Sequence, residues 1–196
     1  MSTMVPEEFN ELIKNRRSVF QQQYTGEKVD DAIVKQMLEN ANWAPTHKLT
    51  EPWRFVVFTG EGLNKLAVLQ SDLYARIAKA DGSYKEDRYQ NLLTKPSLSS
   101  HIIVVGMKRD EKKSVPEIEE IGAVFCAVEN MYLTATAYDV GGYLSTGGIT
   151  YFEEAKEFFG LGNNDKLIGF FHIGKVKKTL TEGRRRPSEE KITWVA

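Results

Sequence analysis

Ala44-Pro45-Thr46-His47-Lys48-Leu49-Thr50-Glu51-Pro52-Trp53-Arg54-Phe55-Val56-Val57-Phe58 runs a proline-bounded polar loop directly into an aromatic and β-branched run. The composition of Trp53 to Thr59 predicts a strand. A loop stiffened by proline and fused to a strand suits a ligand held by rigid backbone. Upstream, Asp30 and Asp31 open a helix whose Ile33, Val34, Met37, Leu38 and Ala41 share one face. Pro45 ends that helix by disfavouring helical geometry at Ala44. Earlier still, Pro6-Glu7-Glu8 followed by Phe9, Leu12 and Ile13 predicts a first helix over residues 6–16. It closes on the polar cluster Asn15-Arg16-Arg17-Ser18. Two helix-end loops of complementary chemistry point to one anionic cofactor.

Downstream, Leu66, Leu69, Leu73 and Ile77 align at helical spacing within 63–79, and residues 81–98 form an amphipathic or loop region. His101 to Met107 is a continuous apolar run, as in a central strand covered on both faces. The longest predicted helix spans Pro116 to Asp139, with Ile121, Val124, Phe125, Val128, Met131, Tyr132, Ala135 and Tyr138 as its apolar stripe. Its other flank is small (Ala123, Ala127, Thr134, Ala137), so the sheet covers one side and a partner subunit is the natural cover for the other. Gly141-Gly142 ends that helix, Tyr143 to Ser145 predicts a short strand, and Thr146-Gly147-Gly148 a turn. A helix at about 150–159 and a strand at Lys166 to Gly174 complete the pattern, ahead of a basic tail ending in Trp194-Val195-Ala196. Strands mixed with many helices define an α+β or α/β layered fold.

The chain has 196 residues, enough for one medium-sized domain with a real core. Its 26 basic residues balance 27 acidic ones, so no global field holds nucleic acid or an anionic membrane, and any anion site is local. The amino terminus lacks a basic region followed by an apolar stretch, which predicts a soluble cytoplasmic protein. The single cysteine, Cys126, excludes an internal disulfide, and its apolar neighbours predict core packing. His47, His101 and His172 are too dispersed for a metal site.

Arg16-Arg17-Ser18, the loop from Pro45 to Pro52, Gly141-Gly142-Tyr143-Leu144-Ser145-Thr146-Gly147-Gly148, and Arg184-Arg185-Arg186-Pro187 match, in order and spacing, the pattern of the nitroreductase family of flavoproteins. The resemblance covers nearly the whole chain, and the short His-containing loop resembles its branch of small NAD(P)H-dependent enzymes. It implies an α+β three-layer sandwich, a central mostly antiparallel sheet flanked by helices. Residues 1–196 would form one FMN-binding domain with a C-terminal arm from about 175. It further implies a homodimer with long central helices at the interface and non-covalent FMN between the subunits. The implied activity is ping-pong hydride transfer from NAD(P)H through flavin N5 to a nitroaromatic, quinone or activated alkene.

Carried onto this chain, the resemblance assigns the flavin phosphate to Arg16, Arg17 and Ser18 with one or two of Arg184, Arg185 and Arg186. Guanidinium forks and a hydroxyl are the donors a phosphate needs. Arginines ending a helix also complement its negative end, and a basic tail is ordinarily solvated. His47, reaching from the other subunit, and Trp43 would contact the flavin. Leu144, Ser145, Thr146 and Gly147 would lie along the flavin edge, glycine permitting close backbone approach. The glycines follow a helix, unlike those of a dinucleotide-binding βαβ unit, so NAD(P)H would stack on the flavin only transiently. No side chain is assigned as a catalytic acid; the flavin carries the chemistry.

The chain departs from the family in two places. Phe20 stands where many members carry a basic residue two positions after the serine, and Leu49-Thr50-Glu51-Pro52-Trp53 replaces the common Asn-x-Gln-Pro-Trp. These departures motivate an alternative, a flavin-storing or flavin-sensing protein with little turnover. A flavin-dependent dehalogenase is a further alternative, although its lid motifs are not recognised here. A nucleic-acid module is disfavoured, because no aromatics interleave with the basic tail.

Overall fold

The computed structural model describes residues 5–177 and 183–195. Its elements are α1 (Pro6–Asn15), α2 (Asp31–Asn42), β1 (Trp53–Thr59), α3 (Glu61–Ala80), α4 (Glu86–Thr94), β2 (His101–Met107), α5 (Glu117–Ala137), β3 (Val140–Ser145), α6 (Ala155–Phe158) and β4 (Lys166–Lys175). The sheet order is β1-β2-β4-β3, with every neighbour antiparallel. Helices cover both faces, giving an α+β three-layer sandwich.

Strand alternation divides the core in two. Ile103, Val105, Met107, Phe171 and Ile173 face α2 and α5, whereas Ile102, Val104, Leu167 and Phe170 face α3. β2 is buried at every position, as its unbroken apolar run requires. Trp53 anchors the start of β1, buried and donating from Nε1 to Asn42 Oδ1 at 3.1 Å.

Several sequence expectations are corrected. Gly141 and Gly142 lie inside β3, because a Cβ on Gly142 would meet the Phe171 ring at 2.7 Å and one on Gly141 would meet Tyr24 at 2.8 Å. Close packing against aromatics, not helix termination, is what those glycines provide. Residues 81–98, which the sequence leaves open between amphipathic and loop, take the first alternative: a helix, α4, followed by a 3-10 turn over Lys95–Leu98. The helix expected at about 150–159 contracts to α6.

On α5 the buried stripe is rotated toward the small flank: Ala123, Val124, Ala127, Val128, Met131, Tyr132 and Ala135 are inside. α2 packs on that flank, and small side chains permit the close approach. Phe125, Cys126 and Tyr138 consequently face out, so Cys126 is exposed and not a core residue.

Candidate functional site

β3 is one of the sheet's two edge strands, with β1 at the other side, and an unpaired edge invites a cover. Its outer edge is closed by the segment after α1: Ser18 bridges Gly142 in parallel, and Val19 N–H donates to Gly142 O at 2.9 Å. Two residues further on, Leu144 N–H donates to the Tyr132 hydroxyl of α5 at 2.7 Å. The same hydroxyl lies 3.5 Å from Ser18 Oγ. Arg16 spreads its guanidinium over the Tyr132 ring, 5.2 Å from the centroid, with Nε 3.5 Å from a Glu129 oxygen. Arg17 donates to the carbonyls of Lys14 and Arg16, the C-terminal turn of α1. Helix capping is therefore a real part of its role.

The C-terminal tail meets this point at Gly183. A Cβ on Gly183 would lie 2.5 Å from Arg17 Cζ, so the run Arg184, Arg185 and Arg186 begins against the Arg17 guanidinium. All three of those arginines are exposed.

Beside β3 opens a cleft of about 680 Å³. Phe20, Gln21, Tyr143, Ser145, Gly148 and His172 line one side, and Gln70, Lys85, Arg88 and Lys95 are among those lining it further. Phe20 and Tyr143 pack with ring centroids 4.6 Å apart, and Tyr143 stacks on His172 at 6.0 Å. Thr146 and Gly147 are exposed beyond the end of β3.

His172 is the buried floor. Gln21 donates from Nε2 to His172 Nδ1 at 2.8 Å, with Ser99 Oγ at 3.3 Å. An amide nitrogen can only donate, so Nδ1 accepts and the ring is neutral with its proton on Nε2. Burial pushes its pKa down from 6.5 to about 4. Burial also lowers His101, against the opposing pull of Asp31.

The unfolded chain thus binds protons that the folded chain refuses. For His172, stability is fully present above pH 6.5 and falls as pH drops toward 4, by about 1.4 kcal/mol per pH unit. Urea unfolding of His172→Gln between pH 7 and about 4.5 is expected to show a shallower loss than wild type. Parallel profiles would refute the assignment.

The sequence-predicted site residues form two groups. Ser18 pairs with β3 at Gly142, Arg16 and Leu144 share Tyr132, Ser145 ends the strand with Thr146 and Gly147 just beyond it, and Gly183, before the tail arginines, lies against Arg17. Trp43 and His47 do not join them within one chain. Trp43 is 79% exposed and donates to Glu39. His47 Nδ1 sits 2.5 Å from Glu119 Oε2, in the first turn of α5. Ten residues separate Glu119 from Glu129, or roughly 15 Å of helix at 1.5 Å per residue. The loop carrying His47 is nonetheless unusual: Lys48, Leu49 and Glu51 all have positive φ (52°, 53° and 41°). Non-glycine residues held there carry strain that typically marks ligand-binding segments.

Tyr132, His172, Gln70 and Lys95 were not read from the sequence as site residues. Gln70 had a legible signal, a polar residue at helical spacing between Leu66 and Tyr74 on the apolar face of α3. Tyr132 appeared only as one member of an apolar stripe.

The Nitroreductase family profile matches residues 13–175. The "Putative NAD(P)H nitroreductase YdjA" of Escherichia coli K12 is 33% identical over 168 residues, covering 84% of this chain and 86% of that protein. The crystal structure of a nitroreductase-like family protein from Bacillus cereus superposes with a TM-score of 0.80 at 29% identity, covering 100% of this chain and 98% of the other. A Desulfovibrio desulfuricans structure titled "putative nitroreductase in complex with fmn" shares the fold at a TM-score of 0.69 and 23% identity, covering 99% of each chain. With its antiparallel four-stranded sheet, two helical layers and basic turn sealing the β3 edge, this chain belongs to the nitroreductase family.

Proposed function

We propose that the protein is an FMN-dependent oxidoreductase, passing hydride from NAD(P)H through flavin N5 to a nitroaromatic, quinone or activated alkene by a ping-pong route. When bound, FMN supplies the hydride chemistry; the chain supplies grip, orientation and shelter. One observation carries this reading: the Arg16-Arg17-Ser18 turn is hydrogen-bonded to the edge of the same strand whose Tyr143 and Ser145 line the cleft. A cationic, hydroxyl-bearing turn suits a phosphate, and a cleft of about 680 Å³ with an aromatic wall suits a flat tricyclic ring. The donor set present therefore fits FMN.

In this reading Arg16, Arg17 and Ser18 hold the phosphate, with the tail arginines Arg184, Arg185 and Arg186 supplementing them. Leu144 is fixed by Tyr132, and Ser145, Thr146 and Gly147 border the ring. Lys95 lines the same cleft as Phe20 and supplies the positive charge that the Phe20 position lacks. Trp43 and His47 serve from the partner subunit of a homodimer.

Exposed apolar side chains support that dimer. Phe9 and Ile13 on α1, Trp43, Leu49, and Ile118 and Phe125 on α5 all stand in solvent. So do Trp194 and Val195, more than 90% exposed, which fits an arm from about residue 175 reaching over the partner from a single domain of residues 1–196. Among the described residues no helix is long and apolar enough to cross a membrane. A cytoplasmic homodimer is the working form.

The test is the visible spectrum of the purified protein reconstituted with FMN, before and after anaerobic addition of NADH or NADPH. The expected result is a flavin spectrum that bleaches and returns on adding a quinone. An oxidised colour that persists would favour flavin storage over turnover. Failure to bind FMN would refute the proposal.

A further inference from the structure

The wall of the cleft formed by α3 and α4 carries chemistry that the phosphate grip does not use. Gln70 is 6% exposed, and its amide makes no hydrogen bond to the described protein. No fully sealed side-chain nitrogen or oxygen among the described residues lacks a partner. The Gln70 amide is therefore satisfied through the cleft that it lines. Lys85 and Arg88 flank the same cleft, neither in an ion pair among the described residues, with Asp87 as the lone carboxylate lining it. Arg88 is steadied by the Tyr74 ring, 4.9 Å from its guanidinium carbon. In a chain of net charge -1, this is a local concentration of positive potential beside a wetted, buried amide.

We propose that Gln70, Lys85 and Arg88 form a subsite for an oxyanion on the small molecule that enters the cleft. Lys85 supplies a point charge, Arg88 a planar fork and Gln70 a neutral donor, a set complementary to carboxylate or phosphate oxygens. The oxyanion is either a carboxylate on the acceptor or the 2′-phosphate of NADPH. The identity of the visitor rests on the oxidoreductase reading; the charge recognition does not.

Isothermal titration of the full chain, with and without added FMN, compares benzoate with benzamide and NADP⁺ with NAD⁺. At least one pair is expected to favour its more anionic member by roughly tenfold or more, as a charge-assisted hydrogen bond provides. That ratio shrinks as salt rises. The Lys85→Gln/Arg88→Gln double variant collapses it toward one, and the pair that responds identifies the source of the oxyanion. Equal binding within both pairs overturns the proposal, and so does a preference that survives the double variant. Loss of FMN in place of the preference would assign these cations to the cofactor and also overturn it.

Gln70→Leu keeps the side-chain volume. It is expected to hold or raise Tm while weakening the anionic ligand severalfold; a lowered Tm would show the amide bonded within the protein and remove it from the subsite. Failure of the oxidoreductase reading registers separately, as absent flavin colour or absent bleaching, whichever way these ratios fall.

Discussion

Arg16→Ala/Arg17→Ala is expected to weaken FMN binding by about a hundredfold or more while the fold survives. Each charge-assisted hydrogen bond to phosphate contributes roughly 1.5–3 kcal/mol, and the double variant removes at least two donors. The structural cost is smaller. Arg16 loses a partly exposed contact with Glu129, worth at most about 1 kcal/mol, and its stacking over Tyr132, worth roughly the same. Among Arg17's interactions, the bonds to two carbonyls at the end of α1 are ones that water can replace. Fluorescence titration with FMN against riboflavin, beside a thermal melt, separates the two effects. Riboflavin lacks the phosphate, so its affinity is expected to change little. A double variant with wild-type FMN affinity would move the phosphate elsewhere. A melting temperature that collapsed along with affinity would make the arginines structural first.

The largest stability effect is expected far from the cleft, at Glu120. This carboxylate, 1% exposed, accepts from the Arg109 guanidinium and from Asp110 N–H at 2.9 Å. Arg109 also donates to Val115 O at 2.7 Å and, through its backbone, to Asp165 at 2.8 Å. The whole connection between β2 and α5 is organised around this pair. Glu120→Ala strands a nearly buried guanidinium, a loss of about 3–5 kcal/mol. For a chain of this size, that lowers Tm by on the order of 10 °C. Glu120→Gln retains an acceptor for Asp110 and is expected to cost less. A thermal melt ranking alanine equal to glutamine would mean that Arg109 finds other partners or water.

The sequence announced the layers more clearly than the edges. β2 was legible because a strand buried on both faces must be apolar throughout, as 101–107 is; β1, partly exposed along its length, was legible from its aromatic and β-branched residues. α2 was legible because Asp30 caps it and Pro45 forbids its continuation. α5 was legible in extent but not in facing. Helical periodicity shows that one side is apolar; it does not show that α2 selects the alanine-rich side and leaves Phe125 and Cys126 outside. Gly141 and Gly142 misled for a similar reason. A glycine pair reads locally as a terminator, whereas here the approach of Phe171 and Tyr24 demands the missing side chains.

In the site, charge was legible and geometry was not. Arg16-Arg17-Ser18 and Ser145 to Gly147 declared themselves by composition and order, but the pairing of Ser18 with Gly142, which sets the basic turn against the strand leading to Ser145, is a long-range contact with no local trace. His47 lies with Glu119 because a strained turn points it there, and left-handed backbone at Lys48, Leu49 and Glu51 is not foreseeable from residue types that rarely adopt it.

Tyr132 gives the arrangement a mechanical character. Its ring carries Arg16 and its hydroxyl carries Leu144, so the basic turn and the strand are hung from one hinge pin on α5. Neither can drift alone: a shift or roll of that helix carries both with it. Substitutions in the middle of α5 can therefore retune the site as a unit without touching anything bound in it.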